Sequence, residues 1–175
     1  MANLFKKDRV LHFSILIALS ISLCLIASGK KDPKVDLTST LISANYICLI
    51  LNNFYIYCMY SRCKKTKNMY DKTITRIGQK RFFNAYVLNF ILDIVVFFII
   101  VTLPILIKHG INSNYTYILI TYLVLNFINF FIQECISMLI FMTPKANGFI
   151  SIPILMNFGF HYLFIQWVLK LIFHF

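Results

Sequence analysis

Two carboxylates, Asp93 and Glu134, stand inside long apolar runs of this 175-residue chain. An acid near the centre of a membrane helix costs about 2.5 to 3.5 kcal/mol on insertion scales, so each needs a partner or a task. Both lie in the half of their run nearer the inner face assigned below, where they could approach one another or share a wet cavity. No Lys or Arg lies within either run to pair with them, which favours a neutral, hydrogen-bonded acid. Other polar side chains recur around them at helical spacing. Asn89 precedes Asp93 by one turn, and Asn126, Asn129, Gln133 and Ser137 follow one side of the run that holds Glu134, with Glu134 beside them. Asn45 and Asn52 are seven apart in an earlier run. Such a set is either a polar pathway or proton site, or interhelical hydrogen bonding at about 0.6 kcal/mol per bond.

The second chemistry-bearing stretch is Ser61 to Arg81, SRCKKTKNMYDKTITRIGQKR, which holds eight of the seventeen Lys and Arg residues between two apolar runs. Read as a helix from Lys67 to Arg81, it sets Tyr70, Ile74 and Ile77 on one face and Lys72, Arg76 and Lys80 on another. Gly78 costs such a helix about 1 kcal/mol relative to Ala, so the pattern ends or bends there. A basic amphipathic helix of this kind can lie among anionic headgroups, at about 1 kcal/mol per cation, or dock a cytosolic partner; the two roles are compatible.

Catalysis has little support. The chain has no HExxH, no GxSxG, no paired-Glu motif on a helix and no P-loop, and Cys63 has no histidine in its own segment. The five cysteines are odd in number and form no CxxC, so neither a disulfide framework nor a zinc site is expected; they read as small apolar packers. No metal, cofactor or catalytic residue is expected, and the chain reads as no enzyme.

The elements that must position these residues follow from composition. At 59% hydrophobic and 13% charged, the chain carries more apolar surface than one soluble core of this size can bury. The pattern predicts an all-α polytopic membrane bundle of about five helices in a single domain, with spans near 10–28, 37–60, 82–107, 115–142 and 149–169. Each run suits a hydrocarbon core of about 30 Å at 1.5 Å per residue. The net charge of +11 sits between the runs rather than on one folded face, which points to lipid and topology and away from nucleic acid. With the N-terminus inside, twelve of the seventeen cations fall on the inner side, so the N-terminus and segment 61–81 are expected to be cytoplasmic. The last run contains Pro153 and Gly159 and permits either a span or a re-entrant element.

An inner N-terminus, two spans, and a basic amphipathic segment leading through Thr75-Arg76-Ile77-Gly78-Gln79-Lys80-Arg81-Phe82-Phe83 into a third span resembles the small permease subunits of ABC-2-type transporters. Many of these look like parts of peptide or bacteriocin export and immunity systems of Gram-positive bacteria. The resemblance covers about thirty residues, Tyr55 to Phe83, and its six-span pattern exceeds the five runs found here. It implies a bacterial cell-membrane protein whose 67–80 helix couples to a separate ATPase, with Tyr70, Ile74 and Ile77 packing and Lys72, Arg76 and Lys80 making ionic contacts. It also implies a peptide or amphipathic substrate and assembly as a homo-oligomer or with another permease chain. The alternatives are a proton-linked carrier using Asp93 and Glu134, and an accessory or immunity protein that transports nothing.

Overall fold

The computed structural model describes residues 6–27, 40–42, 47–110, 116–139, 150–165 and 167. Among these the chain is helical and forms no strand: α1 (Lys6–Ala27), α2 (Asn53–Ile77), α3 (Gln79–His109), α4 (Thr116–Met138) and α5 (Ser151–Gly159). A π-helical stretch, Ile47–Asn52, leads into α2, and another, Phe160–Ile165, continues α5.

Side-chain contacts fix the helix directions. Tyr70 meets Phe82, Arg62 meets Asp93 and Tyr55 stacks on Phe97, so α2 and α3 are antiparallel. Arg9 reaches Asp93 and Ser20 reaches Ile100, so α1 runs parallel to α3. α4 returns antiparallel to α3, with Glu134 at Tyr86 and Phe130 at Phe97.

The expected helix over the basic segment forms, but as the end of a longer one. α2 continues from the second apolar run without interruption to Ile77, and only Gly78 separates it from α3. Gly78 takes φ 82° and ψ 149°, near the region that essentially only glycine adopts, while its N–H donates to the Ile74 carbonyl at 2.8 Å. The basic segment is therefore the tip of a helical hairpin.

Pro104 lies inside α3 and has no N–H to give Ile100, its partner four residues back. Ser20 of α1 supplies the missing donor: its Oγ donates to the Ile100 carbonyl at 3.0 Å. In a membrane helix a proline is tolerated when a neighbour re-satisfies the freed carbonyl in this way.

The core is apolar at its centre, where Tyr55, Phe97 and Phe130 pack at ring distances of 4.4 to 5.3 Å. Asn52, Asp93, Asn126, Asn129, Gln133, Glu134, Asn157 and His161 are nevertheless buried too, while Leu88, Leu92, Ile99, Leu103, Ile120, Val124 and Ile128 are exposed. Polar groups thus share the interior with the apolar core, and large aliphatic side chains also stand on the outside. α3 and α4 are each long and apolar enough to cross a membrane.

Candidate functional site

The parallel packing of α1 on α3 and the antiparallel packing of α2 converge on Asp93. Arg9 Nε lies 3.1 Å from Asp93 Oδ1, its Nη2 donates to Asp93 Oδ2 at 3.2 Å and to Asn89 Oδ1 at 3.2 Å, and Arg62 Nη1 contacts Asp93 Oδ2. The expectation of an unpaired acid is thus corrected for Asp93. Its partners lie just outside the apolar runs, at Arg9 before the first and Arg62 after the second, and reach it because helices cross there and arginine stems are long. The Arg62 side chain is 12% exposed, the Arg9 side chain 31% and the Asp93 side chain 3%. Burial and then the neighbouring Arg62 cation lower the Arg9 pKa from its ordinary value.

Glu134 lies beside this cluster, close enough to act electrostatically on Arg62. Tyr86 Oη donates to Glu134 Oε1 at 2.9 Å, and Cys63 Sγ lies 2.8 Å from that hydroxyl and 3.9 Å from Oε1. Glu134 Oε2 is buried without a hydrogen-bond partner, as are Asn129 Nδ2 and both carboxamide atoms of Gln133. One side of α4 therefore brings several unsatisfied polar atoms into the interior, where each is costly. Asn126 instead donates to its own helix, to the Tyr122 carbonyl at 2.9 Å.

The remaining predicted residues divide between two places. Asn52 is buried and donates to Asn157 Oδ1 at 3.1 Å, and Asn157 Nδ2 in turn donates to the Cys48 carbonyl at 3.1 Å and to Asn53 Oδ1 at 3.0 Å. That network ties α5 to the start of α2, beside the π-helical stretch. Asn45 lies outside the described residues. At the hairpin tip, Lys72, Arg76 and Lys80 are exposed and Ile74 is half-buried, while Ile77 ends α2. The Tyr70 ring packs edge-on against Phe82 and Phe83, at 5.2 and 6.3 Å, and so seals the hairpin itself.

Sequence reasoning missed Arg9, Arg62, Tyr86, Cys63 and Asn157 as parts of polar clusters. A crevice between α1 and α2 was missed as well; it is lined by Arg9, His12, Phe13, Leu16, Phe54, Tyr55, Cys58 and Arg62, with a volume of about 10 Å³. No group of three or more metal-ligating side chains occurs among the described residues. Comparison of the chain with protein-family models, with curated proteins and with solved structures gives no match.

Proposed function

We propose that the chain is a five-span membrane subunit of a transport complex, driven by a separate ATPase that docks on the α2–α3 hairpin tip. In this reading α1, the helical stretch Ile47–Tyr60 with the run before it, α3, α4 and the α5 segment cross the bacterial cell membrane. The N-terminus and the tip are cytoplasmic. The outward aliphatic faces and inward polar groups support the membrane placement, and the alternating helix directions suit five crossings.

The observation that carries the docking reading is the continuity of the helix that bears the tip. Residues Ile47 to Ile77 run as one helical rod, about 46 Å at 1.5 Å per residue, well beyond the roughly 30 Å of a hydrocarbon core. A partner gripping the exposed Lys72, Arg76 and Lys80 would move a rod whose middle is clamped to α1 and α3 through Arg62 and Asp93. Rigid-body displacement at the tip then repacks the interior around Asn52, Asn126 and Asn129, the path for a peptide or amphipathic substrate. Photocrosslinking tests this: a probe at Arg76 should capture a nucleotide-binding protein and one at Ile107, at the other end of α3, should not. Capture of the same protein from both positions would refute tip docking.

A proton-linked carrier is the second reading, and the unpartnered Glu134 Oε2 is what favours it. It rests on Glu134 alone, since Asp93 is engaged by two guanidiniums. It requires Glu134→Gln to abolish a pH-dependent flux that needs no ATPase.

A further inference from the structure

The crevice between α1 and α2 joins two kinds of wall. Arg9, Arg62 and Tyr55 supply donors, and Phe13, Leu16 and Phe54 supply apolar surface. Arg9 immediately precedes the first apolar run and Arg62 follows the second, so both guanidiniums stand at one level, where the runs meet water. Phe13 and Leu16 lie one and two turns further along α1, and Phe54 two turns back along α2. The crevice is thus cationic at the boundary and apolar below it.

Two guanidiniums share one carboxylate there. Among the described residues Asp93 is the one acid within ion-pair distance of both, and the buried Glu134 carboxyl also acts on Arg62. Tyr55 Oη is buried, 3% exposed as a residue, and lies beside the Arg62 guanidinium without a well-aligned hydrogen bond. A volume of about 10 Å³ admits one water-sized atom and excludes a whole headgroup. A ligand that fits must place one anionic oxygen inside and keep its bulk outside.

We infer that this crevice binds a phosphate oxygen of an anionic phospholipid of the inner leaflet, with an acyl chain lying over the half-buried Phe13 and Phe54. Arg9 and Arg62 donate to the phosphodiester, and its acyl chain follows the apolar groove between α1 and α2. This site differs from the diffuse attraction of lipid to the hairpin tip, since it is built from other residues and its donors are partly buried. It rests on the reading that α1 and α2 cross a membrane.

Native mass spectrometry of the full chain, taken from bilayers of mixed phosphatidylcholine and phosphatidylglycerol, tests the inference. The wild-type chain should retain phosphatidylglycerol preferentially. Arg9→Gln should lower that retention about tenfold, the worth of one charge-assisted hydrogen bond. Because Arg9→Gln also loosens Asp93, Tyr55→Phe provides a second variant that leaves the ion pairs in place; it should lower retention about fivefold. Changing Lys72, Arg76 and Lys80 to Gln should leave retention unchanged. Equal retention of the two lipids, or loss in the tip variant with none in Arg9→Gln and Tyr55→Phe, would overturn the site. Displacement of the lipid by excess inorganic phosphate would overturn the lipid assignment in favour of a free anion. Release of the chain from membranes by alkaline carbonate would instead defeat the membrane reading, so the two failures are distinguishable.

Discussion

Asp93→Asn should destabilise the fold more than removal of either arginine that it holds, and the geometry gives the order. Asp93 is 3% exposed as a side chain and faces Arg9 and Arg62 together, so its loss leaves two cations close to one another without the acid that holds both. Removing one partner of a buried pair costs about 3 to 5 kcal/mol, and Asp93→Asn belongs there. Arg62→Met leaves Asp93 still paired with Arg9 and should cost about 1 to 3 kcal/mol, the penalty of a buried acceptor deprived of one of its donors. Arg9→Gln should cost about 1 kcal/mol or less, because the Arg9 side chain is 31% exposed and water takes over part of the role of Asp93. Denaturant titration of the purified chain in detergent micelles, followed by circular dichroism, measures all three. The double variant Asp93→Leu with Arg62→Met should recover part of the loss of Asp93→Asn, since it removes one of the stranded cations along with the acid. Arg62→Met proving more damaging than Asp93→Asn, or Asp93→Asn matching the wild type, would refute the shared-carboxylate account.

Two further outcomes follow from the backbone. Ser20→Ala should cost about 1 to 2 kcal/mol by leaving the Ile100 carbonyl without a donor, and nearly nothing in a Pro104→Ala background, where residue 104 regains its N–H; a denaturation cycle of the four proteins reads the difference. Gly78→Ala should cost about 1 to 3 kcal/mol through backbone strain alone, because a methyl there meets no atom within 4 Å; Gly78→Asn, measured in the same titration, should recover some of it.

The sequence carried the helical class, the break at Gly78 and the buried side of α4, because each depends on local spacing. Asn126, Asn129, Gln133 and Ser137 recur at helical intervals, and all four are buried together. The Gly78 break was legible because glycine at the end of an amphipathic pattern has few other uses. The partners of Asp93 were not legible, for a physical reason. Arg9 and Arg62 sit in segments where cations normally mark topology, and their link to Asp93 is a matter of helix crossing across some eighty and thirty residues of chain. Ser20 was hidden in the same way: Pro104 announces a freed carbonyl at Ile100, but nothing local says that α1 will lie alongside. Asn157 gives no periodic signal, being the one polar residue besides the first, Ser151, in a nine-residue helix, and its three-way network with Asn52, Asn53 and Cys48 exists only once α5 packs on α2. The spacing of the tip cations marks one face of the helix, and all three, Lys72, Arg76 and Lys80, are exposed. Tyr70, on the other face, packs back on Phe82 and Phe83.

Gentle extraction of the native complex, followed by mass spectrometry of what accompanies the chain, tests the transport-subunit account most directly. The account predicts a stoichiometric nucleotide-binding ATPase that dissociates when Lys72, Arg76 and Lys80 are changed to Glu, while the chain stays in the membrane. A chain that purifies alone, or with a partner that binds no nucleotide, would contradict it.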